Sequence, residues 1–384
     1  MQAPPTAQAA ADATATTTGS RDSIEQYPLP PSTVDSRSYT DPAQYRREIE
    51  KVFHSAWLRA CPASDIANPG DWSVFSELDQ SIVIARQDDG SVLAWHNVCQ
   101  HRGARLVAGE SGHCESGRFT CPWHGFIYDL TGKLRFAPMK TAFDPDRIAA
   151  LRTPPVRAEE YGGFVWLCLS SDTKDLKTYL GDIGTELDWF GLETFDVRYR
   201  FDLVLDANWK VVVDAFNETW HVPFTHQATL SEIVQWGKAR LRICDPHSWM
   251  TIPVKGLTDR HPDDADHRAS HITHYLAFPN TIYSNFPTHL QTWTMWPAGP
   301  GKTHFVAYGM VGPCPEGISE EKWVRQNDRD WQNFQDVASE DCNIINGWGT
   351  VAHSLGQGEY LFNTAEGRLT AFHREIGRRT AAGA

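Results

Sequence analysis

The sequence predicts an α+β chain in two parts: a small all-β domain, then a larger α+β domain with an antiparallel sheet and long helices. Three observations carry this. Between Gly70 and Leu169, short β-type segments alternate with turn signals. A second series of strand-like runs, at 241–255, 271–284, 288–296 and 303–311, follows Tyr199-Arg-Phe-Asp-Leu-Val-Leu205. Residues 319–354 then carry a helical apolar period through Trp323, Trp331, Phe334, Val337 and Ala338. The expected divisions are a disordered arm over 1–38, the all-β domain with a leading helix over 39–170, and the α+β domain over 171–384.

Residues 1–25 are rich in Ala, Thr, Gln and Pro, without a charged segment leading into an apolar block, so no secretory signal is read there. From Tyr39 to Ala60 an entry strand or turn and then a helix are expected, closed by Pro62. Trp72-Ser-Val-Phe75, Ser81-Ile-Val-Ile-Ala-Arg86 and Ser91-Val-Leu-Ala-Trp95 read as strands, with Asp88-Asp-Gly90 as a hairpin turn between the last two. Asp129-Leu-Thr-Gly132 is a second turn, and Gly163-Phe-Val-Trp-Leu-Cys-Leu169 a buried strand. Glu320 and Glu321 suit the start of the long helix, and a last helix is expected near 364–377.

Composition narrows the function classes. A hydrophobic content of 41% with fifteen Trp describes a globular chain long enough to bury a large core. The net charge of −13 argues against nucleic acid or an anionic membrane as partner and suits docking to a basic protein surface. No apolar run approaches a membrane span. Eight scattered cysteines do not read as a disulfide framework, and a reducing, cytoplasmic setting is expected.

Two motifs carry chemistry. Cys99-Gln-His101 and Cys121-Pro-Trp-His124 each offer one thiolate and one imidazole after a β segment. Ligand softness admits either a Cys₂His₂ zinc site or a [2Fe–2S] cluster with two thiolates on one iron and two imidazoles on the other. The mixing of both ligand types in each half favours the cluster. The second motif is Asn208-Trp-Lys-Val-Val-Val-Asp214-Ala-Phe-Asn-Glu218-Thr-Trp-His221-Val-Pro-Phe-Thr-His226. If helical as far as Pro223, it would put Asp214, Glu218 and His221 on one face, with His226 returning from the next segment. Read alone, this is equally the start of a ferrous site or the polar face of an amphipathic helix.

With its flanks, His101-Arg-Gly and His124-Gly, the first motif resembles the Rieske domain. The second then resembles the catalytic motif of Rieske non-haem iron oxygenases, terminal oxygenase (alpha) subunit, and the resemblance runs from about 40 to 375. It implies a helix-grip, START-like catalytic domain. It further implies a [2Fe–2S] cluster on Cys99, His101, Cys121 and His124, and a mononuclear Fe(II) on His221, His226 and a downstream aspartate. In Gln335-Asp-Val-Ala-Ser-Glu340-Asp341 that aspartate is taken as Asp341, with Asp336 and Glu340 as alternatives. Glu218 and Asp214 are the catalytic candidates. Glu218 is implied to bridge His221 to His124 of the partner subunit within a homotrimer. Phe216, Asn217, Trp220 and Phe224 are candidate substrate-pocket residues.

The Asn-Glu-x-aromatic-His-x-Pro form resembles the Glu-bridged homotrimeric monooxygenases of choline, betaine and carnitine and related demethylases. The implied reaction uses O₂ and electrons from NAD(P)H, delivered by a separate flavin and iron–sulfur reductase or through a ferredoxin. The chain itself shows no Gly-x-Gly-x-x-Gly fingerprint and no second cluster motif. The resemblance implies hydroxylation of a small organic substrate, or removal of an N- or O-methyl group. Aromatic-ring cis-dihydroxylation is the alternative, and an electron carrier without oxygenase activity a remoter one. Residues 261–274, with four histidines, read as a polar surface loop that could cover the pocket. Gly299-Pro-Gly-Lys-Thr303 reads as a turn between strands rather than a phosphate loop.

Overall fold

A computed structural model describes residues 29–257, 270–286 and 289–381. Two seven-stranded antiparallel sheets organise it. The first runs in the order Trp57–Pro62, Phe164–Cys168, Pro155–Tyr161, Val92–His96, Ile82–Arg86, Asp71–Phe75, Ser111–His113. A small sheet of Arg118–Thr120, Ile127–Asp129 and Leu134–Phe136 accompanies it. Both turn signals form hairpins. At Asp88-Asp-Gly90, Gly90 takes φ +83° and its N–H donates to Gln87 O at 3.0 Å. At Gly132 the close approach itself demands glycine, because a Cβ there would lie 2.1 Å from Thr153 Oγ1.

The second sheet is ordered Asp196–Leu205, Lys302–Val311, Leu290–Gly299, Thr281–Asn285, His271–Ala277, His247–Pro253, Arg240–Cys244. Residues 299–303 form the hairpin between two of its strands. One face receives the helix Glu320–Val351, capped by Ser319, whose side chain accepts the Lys322 N–H. Tyr199 stacks on Trp331 and Trp293 on Phe334, with ring centroids 5.5 and 5.7 Å apart. Gly309, paired with Tyr199, leaves the room for Trp331 to settle there: a Cβ would meet its ring at 2.7 Å. The opposite face packs on the first sheet, where Arg59 donates to Thr294 Oγ1 and its guanidinium lies over Phe164 and Tyr308. One apolar core is therefore shared by both sheets.

Three expectations are corrected. The leading helix does not run to Ala60: Pro42–Glu48 and a wider turn over Ile49–Phe53 end it. Trp57–Pro62 is a strand because its nearly continuous buried run pairs with Phe164–Cys168. The arm is ordered at its C-terminal end, since Ser32–Asp35 pairs with Glu359–Phe362; residues 1–28 lie outside the described residues. The third concerns 261–274. His271 is buried and His274 partly buried in the strand His271–Ala277 rather than exposed in a loop, and 258–269 lie outside the described residues.

The helix Trp209–Ala215 is held by two buried networks. Lys210 Nζ reaches Glu48 Oε2 at 2.7 Å, and Trp209 Nε1 donates to the same oxygen at 2.9 Å. Burial pulls the Lys210 ammonium below its ordinary pKa, and Glu48 opposes this. Tyr39 OH donates to Asp214 Oδ2 at 2.7 Å while His373 Nε2 lies 3.0 Å from that carboxylate. First helix, motif helix and last helix (Gly367–Thr380) are thereby tied together. No helix among the described residues is long and apolar enough to cross a membrane.

Candidate active site

The two Cys-x-His motifs fold into matching loops. Cys99 N–H donates to Ala104 O, and Gly103 N–H returns to Cys99 O at 2.9 Å. In the other loop, Cys121 N–H donates to Phe126 O, and Gly125 N–H returns to Cys121 O at 3.1 Å. Each closure needs a left-handed residue four positions after the cysteine, and Gly103 (φ +76°) and Gly125 (φ +67°) supply it. The fold then sorts ligands that the sequence mixes. The buried Cys99 and Cys121 thiols adjoin, and the half-buried His101 and His124 rings meet with centroids 4.7 Å apart.

Among the described residues, no three of these four ligand atoms gather within 4.8 Å of one another. One tetrahedral zinc would require that closeness. Thiols at one end and imidazoles at the other suit two irons instead. Tyr128 supports the thiolate end, its hydroxyl accepting the Gln100 N–H at 3.1 Å and lying 3.4 Å from Cys99 Sγ. Burial pushes the Cys99 thiol up, and the Tyr128 hydrogen bond works against it. His101 stacks on Phe126, and His124 on Trp123, which is 52% exposed.

The second motif does not remain helical. The helix ends at Ala215, and Glu218 and His221 lie beyond it, so the single-face reading of Asp214, Glu218 and His221 is corrected. Glu218 Oε2 accepts the backbone N–H groups of Trp220 and His221, capping a fresh turn. Pro223 opens the short helix Val222–Thr225 from its first turn rather than closing the earlier one.

This turn and the long helix bring His221, His226 and Asp341 together, with one ligand atom of each inside 4.8 Å of the others. His226 Nε2 lies 3.0 Å and His221 Nε2 3.7 Å from Asp341 Oδ1. The other ring nitrogens are held from behind. His221 Nδ1 pairs with Glu218 Oε1, and His226 Nδ1 lies 2.6 Å from Glu340 Oε2, which Thr229 Oγ1 also reaches at 2.8 Å. A carboxylate behind each Nδ1 favours the proton there, so Nε2, which faces Asp341, is the atom each ring would offer to a metal. Burial pulls both imidazoles down, but the carboxylates outweigh it and hold them above the ordinary histidine range.

The three groups sit in the wall of a cavity of about 650 Å³ between the second sheet and the long helix. Leu230, Val234, Ile252, Val254, Ile272 and Phe216 form much of the wall. His274 also lines it, pushed down to about 3 by burial and by Arg368, so it is a neutral wall residue.

Two family descriptions match the chain: the Rieske [2Fe-2S] domain over residues 56–155, and the ring hydroxylating alpha subunit (catalytic domain) over 192–382. The chain belongs to the Rieske oxygenase family. It is 26% identical to the chloroplastic choline monooxygenase of Spinacia oleracea over 298 residues, 72% of this chain and 64% of that one. It is 31% identical to the large oxygenase component of the naphthalene 1,2-dioxygenase system of Pseudomonas aeruginosa over 201 residues, 50% of this chain and 43% of that one. The matches thus span less than two thirds of these relatives. A quaternary ammonium Rieske monooxygenase solved with L-carnitine shares the fold, with a TM-score of 0.76 at 21% identity over 91% of this chain and 96% of that one.

Within this Rieske oxygenase chain, the remaining candidates separate. Asp214 is engaged with Tyr39 and His373 and does not line the cavity. Of the four pocket candidates, Phe216 lines it. Asn217 is buried beside it, its backbone oxygen 3.5 Å from Arg368 Nη1. Trp220 and Phe224 are corrected: both are exposed, because the new turn after Ala215 rotates them outward. Asp336 accepts from Gln332 on its own helix. Glu340, an alternative ligand from sequence, stands behind His226 instead. Sequence reasoning missed the cavity wall after residue 228, whose aliphatic residues carry no motif.

Proposed function

We propose that this chain is the terminal oxygenase component of a multicomponent Rieske oxygenase that hydroxylates a small organic substrate. The observation that carries it is the convergence of His221, His226 and Asp341 on one cavity wall, each imidazole fixed through Nδ1. When bound, the cluster supplies electrons singly and ferrous iron on this two-histidine, one-carboxylate face supplies O₂ activation. In balance, a substrate C–H takes one oxygen atom, and the other leaves as water with two electrons and two protons. NAD(P)H provides the electrons through a separate flavin and iron–sulfur reductase, with or without a ferredoxin. On an N- or O-methyl group the hydroxylated carbon leaves as formaldehyde.

The chain's own residues perform the positioning. Glu218 and Glu340 hold the Nδ1 protons, the apolar wall excludes water, and the Glu218-capped turn sets the angle at which His221 meets Asp341. Glu218 also fits a bridge to His124 of the partner subunit in a homotrimer. Support comes from exposed aromatics adjoining each motif, Trp123 at one and Trp220 and Phe224 at the other. A cytoplasmic setting is part of the same reading. The aliphatic cavity favours a second reaction, ring cis-dihydroxylation of an aromatic substrate.

Electron paramagnetic resonance of dithionite-reduced protein exposed to nitric oxide tests the proposal. A Rieske signal with a ferrous–nitrosyl signal is expected. A Rieske signal alone in iron-replete protein would make the chain an electron carrier.

A further inference from the structure

We infer that Arg368 is a positioning residue for the His221 side of the site. From the last helix its guanidinium holds the Asn217 carbonyl at the point where the motif helix breaks, and so sets the turn that Glu218 caps. The consequence for iron rests on the proposed oxygenase reading; the hold on the turn does not.

The break is buried. Asp214 O accepts the last N–H groups of the helix, from Phe216 and from Asn217 at 3.1 Å. Beyond that point the chain leaves the helix, and Phe216 and Asn217 are 7% and 1% exposed. Their carbonyls therefore need donors from elsewhere in the protein. His274 Nδ1 lies 3.4 Å from Phe216 O, and Arg368 Nη1 3.5 Å from Asn217 O. The histidine is neutral and serves as an ordinary donor, whereas the arginine brings a full charge to the C-terminal end of a helix.

That charge is fully buried, and among the described residues no carboxylate pairs with it. Arg368 Nε donates to Ser248 Oγ at 3.0 Å, and Nη2 has no hydrogen-bond partner. Neither polar atom of the Asn217 side chain has one. Burial pulls the guanidinium down to about 9, with Cys244 opposing. An unpaired buried cation is unfavourable, and an apolar side chain of similar length would be easier to bury there. What the charge contributes is attraction for the carbonyl, since nothing acidic competes for it and the surroundings screen it little.

The last helix thus grips the break from both sides, His373 on Asp214 before it and Arg368 on Asn217 after it. Glu218 follows Asn217 directly. Its carboxylate accepts the Trp220 and His221 N–H groups and pairs with His221 Nδ1. A shift of the Asn217 peptide therefore moves Glu218, and with it the ring that faces Asp341.

Arg368→Met in the full-length holoprotein tests this by melting temperature, hydrogen–deuterium exchange and the ferrous–nitrosyl signal. Because an unpaired charge is removed, the melting temperature is expected to stay level or rise. Exchange should nevertheless quicken in peptides carrying the Trp220 and His221 amides and keep the parent rate in the two sheets. The nitrosyl signal should broaden, with iron affinity down about tenfold, the low end of what losing a supporting partner does. Arg368→Lys, which keeps a charged donor without the fork, should bring exchange and line shape part of the way back. Failure of Arg368→Met to fold, or a lower melting temperature with faster exchange throughout the catalytic half, would make Arg368 a packing residue and overturn the inference. So would the parent exchange rate at Trp220 and His221. Quickened exchange with an unchanged nitrosyl signal would overturn the link through Glu218 to His221. Quickened exchange beside a parent protein that shows a Rieske signal alone would sink the oxygenase proposal and leave the hold on the turn standing.

Discussion

The two candidate centres are built on opposite plans. The cluster loops are local: in each, cysteine and histidine lie within four positions, and the loop closes on its own backbone through a left-handed glycine. The site of His221, His226 and Asp341 is assembled from afar. Its aspartate comes from a helix more than a hundred residues downstream, and both histidines are oriented by carboxylates outside the triad. A local loop depends on a few turns, whereas an assembled site depends on everything that sets one element against another. Disturbing the catalytic half should therefore spare the cluster, and the following changes grade that asymmetry.

The largest effect is expected from Asp341→Ala. Removing the shared carboxylate should abolish mononuclear iron binding while the Rieske spectrum stays at full intensity. Iron analysis together with the nitrosyl signal reads both centres in one sample. A retained nitrosyl signal would transfer the ligand role to a neighbour such as Glu340.

Next comes Glu48→Ala, which strands the Lys210 ammonium in the core behind the motif helix. Breaking one partner of a buried pair costs about 3–5 kcal/mol. The melting temperature should fall, with iron lost before cluster colour on heating. Glu48→Gln with Lys210→Met should recover most of the loss, since the burial penalty is then removed with the charges. An unchanged melting temperature in Glu48→Ala would show that the pair contributes nothing to holding the motif helix.

Glu340→Gln is subtler, keeping the shape behind His226 but removing the charge. Loss of such a supporting partner lowers metal affinity about 10–100-fold. The shift should appear in competition with a chelator, with no change at the cluster. Equal affinity would mean that Thr229 and the fold alone orient His226.

The same contrast explains what could be read in advance. The four candidate cluster ligands are legible because their chemistry is written within each loop, and the fold brings like beside like. The strands and the long helix are legible from periodicity, with Glu320 and Glu321 marking where the helix begins; the Ser319 cap is a finding of the structure. The limits of the motif helix were not. Pro223 reads as a helix stop, but Glu218 turns its carboxylate onto the next two N–H groups and begins a new turn, for which Pro223 is well placed. That reversal also sent Trp220 and Phe224 outward, although adjacency to His221 suggested a pocket. The pairing of Ser32–Asp35 with Glu359–Phe362 is a contact over more than three hundred residues, which no local pattern announces. The resemblance points to Asp341; no local pattern tells that Glu340, beside it, stands behind His226 rather than in front.

The smallest effect belongs to the seam between the two halves. His304, on the second sheet, meets Glu77 of the first half at 2.7 Å. The hydrogen bond with Glu77 raises the imidazole above its ordinary value; burial opposes this, the Glu77 and Asp202 charges assist, and Arg200 detracts. A histidine whose folded pKa is raised contributes stability that is fully present below the unfolded value of about 6.5 and is lost as pH climbs through the folded one. His304→Asn should therefore lower the melting temperature at pH 5.5 by a small margin, and the gap to the parent should close by pH 8.5. A gap that is constant across that range would assign the contact to packing rather than charge. A gap that widens with pH would mean the imidazole is held neutral and the Glu77 contact adds no charge attraction to the seam.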